Sequence, residues 1–280
     1  MNLFTIVVLL FQTDQSGIAA IPPALMTNRP PLTNSVAKVN GIEIKADEVD
    51  RLTWEWRHRE VEQDLIDFLV VKTAAKKAGI AVSPEEVDAE IQAYLKRYQA
   101  PPGKTAEQAL EAQGVPRSRL FLKIRSQLLL RKLQLAEFHP EEFVKVSTAI
   151  YGAENERPEI LAQDMKRAQT AYEQLSKGTP WQTVLASSTN RPEVLSSGGL
   201  IGWRPKKAFP DAVRIQFDAA KPGTYTKPAQ TQNGIQIFRV EQLGSAAKPS
   251  DIEELKGAYL TSSRTEFIKR LTATAKIERY

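Results

Sequence analysis

The chain offers few side chains of the types that carry out covalent chemistry in enzymes. Its 280 residues include no cysteine and two histidines, His58 and His139. The lack of cysteine excludes disulfides, thiolate zinc sites and a thiol nucleophile. The two histidines are not clustered, so we predict no metal site. The G-x-S-x-G elbow, the G-x-x-x-x-G-K-[ST] phosphate loop and the dinucleotide fingerprint are also missing, so we expect no cofactor.

A glycine-rich stretch over residues 197–240 carries the most specific spacing in the chain. Its GGLIGW segment, residues 198–203, predicts a tight turn that enters a strand anchored by Trp203. Three further elements are predicted, namely a short helix over 209–217, a turn at 221–223, and a strand over 235–240 introduced by Asn233-Gly234.

This order of elements resembles the second half of a parvulin-type prolyl isomerase domain. The matching motifs are GG-x-x-GW, Phe209-x-x-Ala212, Pro222-Gly223 and Thr231-x-x-Gly234-x-x-Ile237. The resemblance implies an FKBP-like domain, in which helices flank a small antiparallel sheet. It also implies a shallow groove that binds proline-containing segments.

The resemblance further implies which positions form the site. The family places one histidine in the first strand, where this chain has Thr148 or, with a one-residue slip, Ala149. It places a second histidine in the last strand, where this chain has Gln236. Asn190 falls where the family has Asp or Cys, and Asn233 takes a position that is often Ser. Both family histidines are therefore absent.

The apolar part of the site is partly kept, since Ile201 and Phe209 match positions of the family's proline pocket. The segment between Gly202 and Phe209 is shorter than in the family and lacks the pocket's methionine. Rotation about an X-Pro bond has a barrier of roughly 18–20 kcal/mol and breaks no bond. A pocket that stabilises the twisted amide is therefore sufficient, without a nucleophile or a metal. We call the four matching polar side chains the polar ring, namely Thr148, Asn190, Asn233 and Gln236. All four are neutral, so they lack the charged groups with which the family tunes its site, and we expect weak or absent isomerase activity.

Each of these residues also has a purely structural interpretation. Thr148 and Gln236 can be ordinary sheet positions, and Phe209 can be a core aromatic residue rather than a proline contact. Trp203 is predicted to lie in the core.

The segment before this domain is predicted to be a hairpin followed by helices. Residues 36–44 form the hairpin, with Asn40-Gly41 at its turn. Val49, Leu52 and Trp56 define the apolar face of a first helix over 46–58. The remaining helices are predicted over 61–78, from the Ser83-Pro84 capping motif to residue 100, over 105–113, and over 117–138.

Residues 36–138 resemble the N-terminal chaperone domain of the SurA and PrsA families. The shared sequence motifs are VA-x-VNG, Glu48-Val49-Asp50 and the segment from Gly79 to Val87. In those families the C-terminal helix and strand return to the N-terminal domain. We therefore expect an α+β protein in which residues 275–280 form a strand that pairs with Val36–Val39.

These resemblances predict four segments. Residues 1–35 hold a signal segment and a Pro-rich linker, and residues 36–139 form the helical SurA N-terminal-like domain. Residues 140–245 form the parvulin-like domain. Residues 246–280 supply a C-terminal helix and strand that pack on the N-terminal domain.

The apolar run Leu3–Phe11 is too short to span a bilayer, so we expect no integral membrane span. Its length suits the core of a secretory signal, with Ile18-Ala19-Ala20 as a cleavage site, although no Lys or Arg precedes it. A frayed or core-docked N-terminus is the alternative. The signal interpretation predicts an extracytoplasmic location, in the periplasm or cell envelope of a bacterium.

Basic residues concentrate between Arg117 and Lys132, in a stretch without acidic residues. Such a patch is typical of a nucleic-acid or anionic surface, or of a solvated helix face whose partners come from other elements. We adopt the second interpretation and expect no nucleic-acid partner.

Taken together, the two resemblances predict a foldase or holdase chaperone that binds unfolded polypeptides and proline-containing segments. One alternative is a genuinely active prolyl isomerase. Another is an interaction or scaffold protein without clients.

Overall fold

The computed structural model describes residues 21–26, 28–152 and 158–279. These residues form two compact units, one made of 21–133 with 268–279 and the other of 134–267. The predicted signal segment Leu3–Phe11 lies outside the described residues. Within the described part of the chain, none of the helices combines the length and apolar character needed to cross a membrane.

The first unit opens with the predicted hairpin, which is confirmed. Strands β1 (Ser35–Val39) and β2 (Ile42–Lys45) pair antiparallel. Asn40 and Gly41 have φ angles of 50° and 86°, and positive values at both central positions match the right-handed twist of the strands. The helices that follow are α1 (Ala46–Lys77), α2 (Pro84–Arg97), α3 (Ala106–Ala112) and α4 (Arg117–Ala136).

Helix α1 is one continuous helix, so the prediction of two helices divided near residue 60 is wrong. No glycine or proline lies between Ala46 and Lys77 to end the helix. Arg57 donates to Glu60 at 2.9 Å, and Gln63 donates to Asp67 at 2.7 Å. Both contacts have helical spacing, and the Arg57–Glu60 contact lies at the predicted break.

The predicted face of Val49, Leu52 and Trp56 is also not buried as expected. Val49 is 46% exposed and Trp56 is 70% exposed. The core of the unit is formed instead by the second half of α1 together with α2, α3 and α4. Its most deeply buried residues include Phe68, Ala75, Val87, Ala109 and Ile124.

The predicted final strand is absent from the described residues. Residues 276–279 have no strand structure, and the described sheet that contains β1 has two strands. Arg279 donates to Glu62 at 3.1 Å and to Gln63 at 2.8 Å. These bonds tie the tail to α1, so it does not pair with Val36–Val39.

The second unit contains the sheet of the parvulin-like domain. Strands β3 (Phe143–Tyr151), β4 (Leu200–Pro205), β5 (Ala229–Thr231) and β6 (Gly234–Leu243) lie in the antiparallel order β4-β3-β6-β5. The helices are α5 (Pro158–Ser176), α6 (Trp181–Ala186), α7 (Pro192–Ser196), α8 (Asp211–Asp218) and α9 (Pro249–Ala273). The α+β class, with helices flanking a small antiparallel sheet, is confirmed.

The sheet is covered on both faces because apolar residues occupy alternate positions of β3 and β6 on each side. Ala149 and Ile237 pack on one face against Ala168 of α5 and Trp181 of α6. On the other face Val146, Val240 and Phe238 pack against Val213 and Phe217 of α8. The groove described below lies on this second face.

Helix α9 begins within the second unit. Leu255 is fully buried there against Phe143 and Trp203, the latter in the core as predicted. This arrangement differs from the expectation that residues 246–280 as a whole pack on the N-terminal domain. Residues 249–267 fall in the second unit because Leu255 completes its apolar cluster, and residues 268–279 fall in the first.

Candidate functional site

An open groove of about 450 Å³ lies on the α8 side of the sheet. Phe238 and Gln236 of β6 line it from the sheet, Ile201 from β4, and Phe209 from the segment before α8. The groove thus contains both residues predicted to contact proline. Its other lining residues are Arg204, Ala208, Pro210, Thr231, Gln232 and Asn233.

Phe209 is both a lining residue and part of the core packing. Its ring meets the rings of Phe217 and Phe238 edge to face, with both centroid distances at 5.0 Å. The side chain is half-buried, so its remaining surface faces the groove. Phe209 therefore belongs to the core packing and also lines the groove, and its contact with proline stays a prediction.

A chain of side-chain hydrogen bonds lies at one end of the groove. Thr231 donates from Oγ1 to Oε1 of Gln236 at 2.5 Å. Gln236 in turn donates from Nε2 to Oγ1 of Thr148 at 3.0 Å. Thr148 and Gln236 are 2% and 5% exposed, so this chain is buried and its polar atoms are satisfied by one another.

The strand register resolves the one-residue ambiguity in β3. Thr148 is opposite Phe238 in the β3–β6 pairing, and its side chain contacts Gln236 on the groove side. Ala149 packs on the opposite face, in the cluster under α5 and α6. Thr148 and Gln236, at which the sequence resemblance implies histidines in the family, therefore contact each other directly.

Asn190 is not among the residues that line the groove. It lies beside the part of β3 that extends beyond the end of β4. Among the described strands, that part of β3 has no partner on this edge. Asn190 Nδ2 donates to the Thr148 carbonyl at 2.9 Å, and its Oδ1 accepts from the Ile150 amide at 2.7 Å. The side chain replaces the missing strand, since unpaired buried backbone groups are costly. Its link to the groove runs through the backbone of Thr148.

Asn233 lies at the rim, in the turn between β5 and β6. Its backbone amide donates to Thr231 Oγ1 at 3.0 Å, and its side chain is exposed. Gly234 follows with a φ of 103°, and a Cβ there would lie 2.9 Å from the Tyr151 carbonyl. The Thr231-x-x-Gly234 motif thus builds this turn and holds Thr231 against Gln236.

The double glycine allows its loop to lie directly against β3. Gly199 has a φ of 81°, and a Cβ on it would lie 2.8 Å from the Thr148 carbonyl oxygen. The Thr148 amide donates to the Gly199 carbonyl at 2.8 Å, and the Trp181 indole donates to the Gly198 carbonyl at 2.9 Å. These contacts fix the position of Thr148, so the motif supports the site without lining it.

Among the described residues that line the groove, Arg204 is the one that carries a charge. Sequence reasoning did not identify it, nor Thr231, Gln232 and Phe238. Strand alternation could have placed Arg204 on the groove face, because it is paired with Val144, whose side chain packs on that face. The bulge at Gly202 shifts the register and hides this pattern in the sequence.

The described groove contains no imidazole, carboxyl or phenol group. Tyr151, whose pKa is raised by burial, belongs to the opposite face of the sheet. Among the described residues no three His, Asp or Glu side chains are grouped as a metal site requires. The groove can therefore bind through apolar contact, hydrogen bonds and the single guanidinium.

The basic stretch of α4 has acidic partners from other helices. Arg119 donates to Asp64 at 2.6 Å, Lys132 lies 2.6 Å from Glu86, and Arg117 lies 3.5 Å from Glu107. Such pairing is what the solvated-face interpretation predicts.

Comparison with known proteins gives consistent matches. Residues 132–257 match the PPIC-type PPIASE domain family. Chaperone SurA of Methylobacillus flagellatus is 21% identical over 242 residues, which cover 78% of this chain and 55% of the relative. Chaperone SurA of Aromatoleum aromaticum is 23% identical over 244 residues, with the same coverages of 78% and 55%. The chain thus spans about half the length of these relatives.

Among solved structures, the peptidylprolyl isomerase PrsA from Bacillus cereus is similar over 89% of this chain and 95% of its own. Its identity is 15% and the TM-score is 0.47. PrsA from Bacillus anthracis is 20% identical, covers 78% of this chain and 100% of its own, and has a TM-score of 0.43.

Proposed function

Starting from the finding that the chain is of the SurA/PrsA type and carries a parvulin-type domain, we propose that it is an extracytoplasmic protein-folding factor. It binds unfolded polypeptides through its helical unit. The parvulin-like domain acts as a second binding surface for proline-containing segments, with weak or no isomerase activity.

The observation that carries this proposal is an apolar arm, which we define as residues 35–61. It consists of the β1–β2 hairpin and the first half of α1. Eight of its large apolar side chains are exposed although they are close together in sequence. They are Val36, Val39, Ile42, Ile44, Val49, Trp54, Trp56 and Val61.

Such exposure is costly unless a partner covers it. Trp54 and Trp56 are 71% and 70% exposed, and a large exposed apolar surface marks an interaction site in a folded protein. A two-stranded hairpin is also marginally stable alone, so its apolar side chains gain stability from a partner. An unfolded polypeptide fits because it offers apolar side chains in many arrangements, and an open surface can accept them without a shaped pocket.

The groove of the second unit supports the proline-binding part of the proposal. Phe209, Phe238 and Ile201 provide apolar surface for a proline ring, and Gln236 provides a neutral amide beside it. The Thr148–Gln236 contact replaces a pair of histidines by groups that do not titrate near neutral pH. Neutral groups stabilise charge redistribution in the amide less than a tuned imidazole does, so catalysis is expected to be slow.

Two assays on one preparation test the proposal. The first follows light scattering of a chemically unfolded client diluted into equimolar protein, and we expect its aggregation to be suppressed. The second is a protease-coupled proline-peptide assay, in which we expect little or no acceleration. Unchanged aggregation would contradict the chaperone proposal.

A second candidate, an active prolyl isomerase, is favoured by the apolar lining of the groove and by the hydrogen-bonded Gln236. It predicts isomerisation faster than the uncatalysed tens of seconds, lost in Phe209→Ala. No acceleration at high protein concentration would reject it. A scaffold protein predicts neither activity, and one dominant native partner in a pull-down would favour it.

A further inference from the structure

Arg204 places a positive charge in a groove whose other described lining residues are neutral. It lies on the edge strand β4, is exposed to solvent, and faces the same side of the sheet as Val144. The groove's remaining lining residues are apolar side chains, amides and a hydroxyl. A ligand in the groove therefore meets a single charge.

This guanidinium has no carboxylate partner among the described residues. Its Nη1 donates to the Trp203 carbonyl at 3.1 Å, which leaves its other N–H groups free for a ligand. Two nearby cations differ in this respect. Lys206 lies 3.3 Å from Asp218, and Arg214 lies 2.7 Å from Asp211.

We propose that Arg204 selects, among proline-containing segments, those that carry a carboxylate within two residues of the proline. The inference rests on the proposed role of the groove and adds a preference for acidic clients to it. The partner is an extended Asp- or Glu-containing polypeptide segment.

The spacing along β4 sets the distance between the proposed proline contact at Ile201 and the proposed carboxylate contact at Arg204. Ile201 and Arg204 are three residues apart, or roughly 10 Å in an extended strand, and the bulge at Gly202 shortens this. An extended ligand advances about 7 Å over two residues, and an acidic side chain adds further reach. A proline ring on Ile201 and Phe209 thus leaves a carboxylate within reach of the guanidinium.

The chemistry of the guanidinium favours a carboxylate over other groups. Its planar fork can donate two parallel hydrogen bonds to the two oxygens of one carboxylate. Because the pair remains exposed, we expect a preference of about two- to fivefold in affinity. The preference should shrink as salt screens the pair.

A structural role for Arg204 is the alternative interpretation. A charged side chain on an edge strand prevents pairing with the sheets of other molecules. That role predicts no difference between acidic and neutral proline peptides, and it predicts self-association when the charge is removed.

The test is a two-dimensional NMR titration of the full chain with three peptides that are identical except for Glu, Gln or Lys directly before proline. We expect the backbone amides of Ile201, Phe209 and Phe238 to shift. The Glu peptide should bind about threefold more tightly than the Gln peptide, and the Lys peptide most weakly. Arg204→Gln should remove the Glu preference, whereas Lys207→Gln, an exposed cation that does not line the groove, should retain it.

The outcomes separate this proposal from the one it rests on. Shifts in the groove with equal affinities for the Glu and Gln peptides would overturn the role of Arg204 and leave the groove as a proline site. A Glu preference that persists in Arg204→Gln would also overturn it. If none of the three peptides shifts groove residues, the proposed binding role of the groove fails as well.

Discussion

Gln236 Nε2 lies 3.0 Å from Thr148 Oγ1, across two neighbouring strands and beside an apolar groove. The resemblance to parvulin-type domains implies histidines at these two positions. The replacement is internally consistent, because each side chain satisfies the other and Thr231 completes the chain. The site therefore contains a buried polar pair whose groups do not ionise near neutral pH.

Breaking this pair should destabilise the second unit. Gln236→Leu leaves the buried Thr148 hydroxyl without its donor, and we expect a loss of about 1–3 kcal/mol in the free energy of unfolding. The double variant Thr148→Val/Gln236→Leu removes both partners and should lose less than the sum of the single variants. Urea unfolding of all four proteins measures the coupling. Strict additivity would show that the contact contributes nothing.

The double glycine gives a prediction with a matched control. Gly199→Ala and Gly202→Ala both place a side chain at positive φ, which costs about 1–2 kcal/mol. A Cβ on Gly199 also lies 2.8 Å from the Thr148 carbonyl, whereas a Cβ on Gly202 meets nothing within 4 Å. Gly199→Ala should therefore lower the unfolding midpoint more than Gly202→Ala does. Equal midpoints would contradict the close approach of this loop to β3.

Substitutions at Phe209 separate its two roles. Phe209→Ala removes the edge-to-face contacts with Phe217 and Phe238, and should cost about 2–4 kcal/mol in stability. Phe209→Leu keeps most of the apolar volume and should lose about 1–1.5 kcal/mol. If the ring also contacts proline, Phe209→Leu should still weaken proline-peptide binding in calorimetry. Unchanged binding would leave Phe209 a core residue only.

Glu86 gives a prediction about pH in the first unit. Hydrogen bonds from Lys132 and from the Ser83 amide lower the pKa of the Glu86 carboxyl below the ordinary value for a glutamate. A lowered pKa contributes stability above the unfolded-state value, and this stability is lost as the pH falls through the folded-state pKa. Glu86→Gln should thus lower the melting temperature at pH 7 and match the wild type near pH 3.

The control for this prediction is Asp88→Asn, on an exposed side chain of the same helix. It should change the melting temperature little at either pH. A difference between Glu86→Gln and the wild type that is the same at pH 7 and pH 3 would show that the ion pair with Lys132 is not its cause.

Local sequence signals predicted much of the fold because their physics is local. Ser83 caps α2 through the Glu86 amide, and Asn40-Gly41 forms the expected turn. Phe209 and Gln236 both line the groove, because the glycine and turn motifs around them fix the register of the strands.

The predictions that differ from the structure concern which residues cover an apolar surface and where a helix or strand ends. The stripe of Val49, Leu52 and Trp56 looks like a core face in sequence, because periodicity identifies an apolar face but not its partner. Asn190 was assigned to the polar ring, yet its role depends on where β4 ends, which no local motif encodes. The C-terminal tail forms hydrogen bonds with Glu62 and Gln63 and does not pair with β1. Contacts between residues so far apart in sequence leave no periodic pattern from which they could be predicted.

The central claim is that the apolar arm binds unfolded polypeptide. The most direct measurement is the suppression of client aggregation by the wild type, by Trp54→Ser/Trp56→Ser, and by Ile215→Ser, which removes a 66% exposed apolar side chain outside the arm. We expect the double variant to keep its fold and lose most of the suppression, while Ile215→Ser acts like the wild type. Full suppression by the double variant, or equal losses in both variants, would contradict the account.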